Sequence, residues 1–356
     1  MVELGSGVTS VVADYVRGTP EIEHHVLARQ RSGADTGEDL KGAASSWTEL
    51  PAEPPRAIAA VARTVHRVRP DLVHAHSSYS GLYVRLAPGV PRRRVVYTPH
   101  CYGFERRDIG PVARSGIRGV EAGLSRRTGA VLAIGPREAE LARSLDPAVP
   151  VHLVRNAVDL PPLPAAPRSG PPEAVASGRL SPQKDPLLFA AAAVAARELS
   201  PGTRWTWIGG GDEAVTAQLR SCGVEVTGWL PRDEVLRRLS TASVYVHTAA
   251  WEGCPMTLLE AAALGLPVVA RRIPALSAMG IPRLVDGPRE IARGVLRLDD
   301  PGTRSRAVAE SRAVVDRHSP QQQMAALRAA YEAVCSAPGR RAALPSDGAS
   351  TSGASE

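Results

Sequence analysis

Cysteine is scarce in this chain: Cys101, Cys222, Cys254 and Cys335 are the four among 356 residues. No two stand at C-x-x-C spacing, which excludes a zinc-ribbon pattern and leaves no disulfide framework. They read as free thiols of a reducing compartment. Long apolar runs are missing too. No stretch reaches the roughly 18 residues of a membrane-spanning helix. The opening MVELGSGVTS lacks the charged and apolar regions of a secretory signal. A cytoplasmic location is therefore expected. Aromatic side chains amount to only 4 %. No self-similarity appears at the periods of solenoids or propellers.

What is present is ordinary for a soluble globular protein: 44 % hydrophobic and 22 % charged residues. At about 100–200 residues per domain, the length predicts two domains. The net charge is +7, and it is unevenly placed. Between Pro91 and Ala130 stand nine arginines (Arg92, Arg93, Arg94, Arg106, Arg107, Arg114, Arg118, Arg126, Arg127) against three acids (Glu105, Asp108, Glu121). Such a segment is a solvated face, a contact for anionic lipid or a nucleic-acid surface. No nucleic-acid fold motif accompanies it, so no nucleic-acid partner is expected.

Short apolar runs alternate with helical stretches. PDLVHAH (Pro70–His76), RRVVYTPH (Arg93–His100), GAVLAIG (Gly129–Gly135) and VPVHLVRN (Val149–Asn156) read as strands, and REAELARSL after Gly135 as a helix. This order predicts an α/β, parallel, doubly wound sheet. Asp159–Pro172 is rich in proline and reads as a linker. The alternation then restarts through EAVAS, TRWTWI, VEVTGWL, SVYVHT and LPVVARR, giving a second Rossmann-like domain. The predicted organisation is residues 1–160, residues 161–318, a helix over 319–337 starting at the N-cap Ser319, and a polar tail over 338–356 expected to be disordered. VEL ahead of GSG is only a stub of a first strand, which implies either an upstream start or a domain that tolerates a short edge.

In open α/β sheets, ligands bind beyond the carboxyl ends of the strands. In the second domain those ends carry SGRLSPQK, GGGDE and TAAWEGCPMT. Within WEGCPMTLLEAAALG, Glu252 and Glu260 have seven residues between them. The helix there is expected to start near Pro255 and to end at Gly265. Its N-terminus favours an anion, Gly253 leaves room for a phosphate, and Arg179 and Lys184 add two cations on a neighbouring rim. That set suits a diphosphate. The glutamates, repelled by it, would hold hydroxyls on either side. A plainer reading stands beside this one: Thr257 and Glu260 have capping-box spacing, and Glu252 favours the positive helix end.

The combination resembles the family 4 group of retaining GT-B glycosyltransferases. EGCPMTLLEA is similar to their E-x7-E motif, ASGRLSPQKDP to their G-R-L…K segment and WIGGGDE to their G-x-G turn. VRNAVDL resembles their hinge strand, with Ala157 where glycine is usual. HAHSSYSG and YTPHCYGF resemble loops of their first domain, and GSGVTSVV their first glycine loop. The resemblance runs from about Gly5 to the last helix. It implies a GT-B fold, with two Rossmann-like domains facing a cleft. It implies that Arg179 and Lys184 stabilise the leaving diphosphate, that Glu252 contacts the donor sugar and Glu260 the ribose, and that His100 faces the sugar across the cleft. Gly253, Cys254, Pro255, Met256 and Thr257, with Gly209 and Gly210, would line the nucleotide-sugar site. Gly5, Ser6 and Gly7 would let the backbone approach phosphate or acceptor. Transfer would proceed with retention, the leaving phosphate helping to deprotonate the acceptor hydroxyl.

No cofactor or metal is implied, and no D-x-D occurs. The implied partners are a UDP- or GDP-hexose and a lipid-linked or surface-glycan acceptor, reached at an anionic membrane surface. A sugar-nucleotide epimerase of the same fold and a silent partner in glycan assembly are the alternatives. IPALSAMGIPRLVDGPRE departs from the family's Gly-Gly loop. His74 and His76 share a strand, and only one is expected to face the cleft. Asn156 is expected to shape the hinge, Asp212 and Glu213 to cap a helix, and Cys101 not to act as a nucleophile.

Overall fold

A computed structural model describes residues 2–4, 6–30, 37–160 and 171–336. Gly5, the side chain of Ser6, linker residues 161–170 and the tail from 337 lie outside the described residues. In the first domain, β1 (Val2–Leu4), β2 (His25–Gln30) and β3 (Ser46–Glu49) pair in that order. A second set, β4 (Val73–His76), β5 (Val95–Thr98), β6 (Ala130–Ala133) and β7 (Val151–Leu153), pairs in sequence. β1 lies close to β4, so the two sheets stand side by side in the spatial order 3-2-1 then 4-5-6-7, with no ladder between β1 and β4 among the described residues. The short first strand ends the ladder of its own sheet and faces β4 across the gap between the two sheets. Below it, a cavity of about 730 Å³ separates β2 from β4, lined by Val12, Tyr15, Val26, Val65, Val73 and His74 among others.

The second domain contains β8 (Glu173–Ser177), β9 (Arg204–Ile208), β10 (Glu225–Val226), β11 (Val244–His247), β12 (Val268–Arg271) and β13 (Leu284–Val285). Their order is 10-9-8-11-12-13, the doubly wound order with its switch point between β8 and β11. All pairings in the three sheets are parallel. Parallel strands are covered on both faces, which explains their continuous apolar sequences. Along β11 the faces alternate. Val244 and Val246 join Trp205, Trp207 and Phe189 in one core, and Tyr245 joins Leu258, Leu259 and Leu276 in the other. The alanine-rich helix Pro186–Leu199 packs along the helix Pro288–Leu296, an approach its small side chains permit. VEVTGWL forms only a two-residue strand, because Gly228 turns at φ +74° and bridges to Gly209.

Two strands of chain join the domains. Val158 N–H donates to His318 O at 3.0 Å, and His318 Nδ1 lies 2.7 Å from Asn156 O. The helix Pro320–Ser336 then packs on the first domain, placing Leu327, Ala330, Tyr331 and Val334 against Val11, Tyr15, Val96 and Leu132. Gly18 leaves room there for the Met324 side chain. A Cβ there would collide with Met324 Sδ.

Candidate functional site

Of the three loops predicted to form the rim of the second domain, GGGDE meets the loop after β8 through a bridge between Leu180 and Gly211, and the loop after β11 meets it through hydrogen bonds. After β8, residues Ser181–Asp185 turn into the helix Pro186–Leu199, with Asp185 at φ +48° as its N-cap, accepting Leu188 N–H at 3.2 Å. This turn is tied to the loop after β11. Ala250 N–H donates to Gln183 O at 2.8 Å, and Thr248 Oγ1 donates to Lys184 O at 2.8 Å. Arg271 at the end of β12 donates to Asp185 at 2.7 Å. Two loops and a strand end distant in sequence are thereby held as one surface.

On that surface Lys184 Nζ donates to Glu252 Oε1 at 2.5 Å. Glu252 is the more buried of the pair, its side chain 8 % exposed. Arg179 is exposed and has no hydrogen-bond or ion-pair partner among the described residues. His247, at the end of β11, places Nε2 3.9 Å from Glu252 Oε1 and is buried without a hydrogen bond at that atom. Burial first, and then the Lys184 charge, holds its imidazole well below the usual histidine range. It is therefore neutral at physiological pH.

The helix carrying the second glutamate runs Met256–Ala263, with Pro255 at the N-cap and no side-chain cap. Gly265 ends it at φ +78°. The capping box does not form. Thr257 lies inside the helix, and its hydroxyl is 2.9 Å from Tyr245 OH. Glu260 instead meets Arg232, Oε1 to Nη2 at 2.7 Å, with the carboxylate buried and the guanidinium exposed. Arg232 opens the helix Arg232–Thr241. Just before it, Trp229 is 63 % exposed, with its ring edge 3.2 Å from the position of a Cβ on Gly210.

The glycine turns serve the backbone. Gly209 has φ +139°, and a Cβ there would strike Gly178 O, so it is the neighbouring rim loop that makes the close approach. Trp207 Nε1 donates to the same Gly178 carbonyl at 2.8 Å. Gly253 differs from the expectation in a similar way. Its Cβ direction points at Cys101 N, 3.1 Å away, and at Ile134 Cδ1, also 3.1 Å. Its small size lets the two domains touch, and does not leave room for a phosphate on that side. Cys254 is buried with Ile134 in a shared core, and Met256 packs on the first domain's core. Both side chains thus belong to the domain seam. Asn156, at the hinge, donates to Cys254 O at 3.2 Å. Ser6 and Gly7 begin the helix Ser6–Gly18, so the expected first glycine loop is a helix start.

Across the seam the first domain presents His100 and Cys101, both at positive φ. His100 Nε2 lies 3.0 Å from His76 Nδ1. Burial lowers the His100 imidazole to about 3. His74 and His76 do not point to opposite sides. Side chains two apart in a strand share a face, and these rings lie 3.9 Å apart. His74 is occupied by Tyr331 OH and Thr98 Oγ1, each at 2.8 Å, which leaves His76 to pair with His100. Burial pushes the Cys101 thiol up, and Glu252 and Lys184 both act on it electrostatically, so loop and rim are neighbours. A thiol held protonated is no nucleophile. Asp212 caps its helix through Ala214 and Val215 N–H, whereas Glu213 pairs with Arg220.

Much of the arginine-rich segment is engaged within the chain. Arg94 donates to Pro70 O, Arg106 to Asp108, Arg114 to Phe104 O and Arg118 to Ser144 Oγ. Among the described residues no group of three or more His, Cys, Asp or Glu side chains is placed to hold a metal ion, and no helix is long and apolar enough to cross a membrane. Sequence reading missed Arg232, Trp229, His247 and the His76–His100 contact. The available signals were a histidine ending a strand and an arginine opening a helix on the ligand-facing rim.

Comparison with known proteins matches residues 6–157 to the model described as "Glycosyl transferase 4-like domain" and residues 171–300 to "Glycosyl transferases group 1". The chain is 28 % identical over 233 residues to the Escherichia coli UDP-Gal:alpha-D-GlcNAc-diphosphoundecaprenol alpha-1,3-galactosyltransferase, covering 57 % of this chain and 58 % of that protein. It is 28 % identical over 267 residues to a Mycobacterium tuberculosis glycogen synthase, covering 68 % and 64 %. The matched part thus spans less than two thirds of either relative. Among solved structures, sucrose-phosphate synthase from Thermosynechococcus elongatus superposes with a TM-score of 0.76 at 18 % identity, covering 93 % of this chain and 95 % of the other. Anabaena HepE, solved with UDP-glucose, superposes with a TM-score of 0.73 at 15 % identity, covering 93 % and 98 %. These likenesses show the fold.

Proposed function

The chain belongs to the GT-B glycosyltransferases, and from that premise we propose that it moves a hexose from a UDP-sugar to a hydroxyl of a lipid-linked or surface glycan, with retention and without a metal. One observation carries the reading. Lys184 and Glu252 pair on the strand-end rim that meets the His100–Cys101 loop, and Arg179 belongs to the same loop after β8 as Lys184. Lys184 is partly neutralised by Glu252, so Arg179 is the cation with its whole charge available to a diphosphate. The uncapped start of the Met256–Ala263 helix adds a partial positive charge. Together they stabilise the charge that grows on the leaving phosphate, which then takes the acceptor proton. Glu252 and the neutral His100 hold sugar hydroxyls. Glu260 takes the ribose diol beside Arg232.

UDP is favoured over GDP because the E. coli relative's name specifies UDP-Gal and the Anabaena structure holds UDP-glucose. The same relative's diphosphoundecaprenol acceptor supports a lipid-linked one here. Exposed Arg107, Arg126 and Arg127 would supply contacts to anionic lipid.

A thermal-shift panel of UDP, GDP, ADP and their sugars tests the donor. A ligand at 100-fold excess over its Kd stabilises by about 2.7 kcal/mol. Stabilisation by UDP-sugars, with UDP release once a lipid-linked glycan is added, is the expected result. Loss of donor to an epimer without acceptor would replace this reading with epimerisation. No response to any nucleotide would remove the donor assignment.

A further inference from the structure

One buried carboxylate outside the residues assigned above touches the domain seam. Glu138 lies in the first turn of the helix Pro136–Leu145 and is almost fully buried. Its Oε1 accepts Cys101 N–H at 2.8 Å and its Oε2 accepts Ile134 N–H at 2.8 Å. Cys101 follows β5 and Ile134 follows β6, so a single side chain ties two strand-end loops on the rim that faces the second domain.

The segment it holds has an uncommon backbone. His100 and Cys101 stand consecutively at φ +52° and +84°. Each such residue costs on the order of 1 kcal/mol or more and persists only where its surroundings hold it. Histidine, like asparagine and aspartate, is a type enriched in this region, whereas cysteine is not. Three contacts hold the pair: Glu138 on the Cys101 amide, the His76 ring stacked 5.3 Å from the His100 ring, and Gly253 packed on the Cys101 backbone.

We propose that Glu138 is a positioning residue for glycosyl transfer, its two backbone hydrogen bonds acting with the His76 ring to hold His100 in a left-handed turn at the donor side of the cleft. This rests on the reading of His100 as a donor-facing group.

The protonation state follows from the geometry. Both carboxylate oxygens accept N–H bonds, and a protonated carboxyl would set a hydroxyl against one of those donors. Burial raises the Glu138 carboxyl from 4.5 to about 7. The titratable groups that feel its charge are Tyr15, Tyr97, Cys101, Tyr102 and Cys254, all raised by their own burial and uncharged near neutrality. The nearby His76 and His100 are held neutral. Among the described residues no neighbour offsets the titration of Glu138, so turnover should rise with pH through about 7.

The test measures release of the nucleoside diphosphate by the full chain: UDP from UDP-glucose or UDP-galactose, and GDP from GDP-mannose. The variants are Glu138→Gln, His100→Asn (which tolerates the left-handed turn) and the double variant. For Glu138→Gln the expected outcome is a kcat lower by about tenfold or more. KM and UDP affinity should stay within about threefold, because the nucleotide site is on the other domain, and the acid limb near pH 7 should vanish. The double variant should be no slower than His100→Asn alone, as for residues acting as one unit. A helix-capping role alone would lower thermal stability and leave kcat and the pH limb in place, which overturns the proposal. Wild-type turnover in His100→Asn would instead overturn the reading of His100, and the proposal with it. Release from none of the three donors would remove both. If Glu138→Gln does not fold, a wild-type kcat that is flat from pH 5.5 to 8.5 is sufficient to refute the idea.

Discussion

Lys184 Nζ stands 2.5 Å from Glu252 Oε1, although 67 residues separate them in sequence, so the cation and the carboxylate meet any ligand as a pair. Arg179, on the same rim, has no such partner among the described residues.

That difference separates the two cations experimentally. Lys184→Ala leaves a largely buried carboxylate alone and should cost about 1–3 kcal/mol in chemical denaturation, discounted for the partial exposure of the lysine. Arg179→Ala removes no hydrogen bond or ion pair among the described residues and should change stability by less than about 0.5 kcal/mol. Its turnover should nevertheless fall about 100-fold. Equal stability losses for the two variants would contradict this assignment.

Trp229 is a large exposed aromatic beside Gly210, at the entrance to the segment that supplies Arg232. If a nucleobase stacks there, Trp229→Ala should weaken UDP binding by about tenfold, in line with roughly 1–3 kcal/mol per stacked base. Titration calorimetry with UDP measures this, using inorganic pyrophosphate as the control. Its binding should be unchanged.

Thr257 bonds Tyr245 rather than capping its own helix. Thr257→Ala should therefore cost about 1 kcal/mol. Most of that cost should disappear in a Tyr245→Phe background. A cost independent of Tyr245 would restore the capping box.

Glu138 makes stability depend on pH. Its carboxyl is raised from 4.5 to about 7 by burial. Between those values the native state binds more protons than the unfolded state, so stability falls as pH rises. This group's contribution is complete below about pH 4.5 and lost above about pH 7, a span worth up to about 3 kcal/mol. Glu138→Gln does not titrate. Denaturation midpoints of the variant, compared with wild type at pH 5 and pH 8, should shift in its favour at the higher pH. The ionised form that transfer would need is thus the less stable one.

The α/β class and the doubly wound pattern were readable in advance, because alternating apolar strands and helices are local signals carried by neighbouring residues. The E-x7-E spacing is local too, spanning one loop and one helix. The partners of those glutamates were not readable. Arg232 reaches Glu260 and Lys184 reaches Glu252 only because parallel strands bring their carboxyl ends to one rim. The shared face of His74 and His76 was readable from strand periodicity alone. The pairing of His76 with His100 was not, since it depends on Tyr331 of the last helix occupying His74. The closeness of β1 to β4 was likewise hidden, because the placement of one sheet beside another is a property of the assembled domain.

By itself, then, the sequence determined the succession of elements and the residue types at the strand ends, since both follow from short-range periodicity and turn chemistry. Tertiary structure alone decided which charge neutralises which, which backbone Gly253 packs against, and which backbone amides Glu138 receives. Those outcomes depend on distances between segments far apart in the chain, and such distances are set when the two sheets and the last helix pack together.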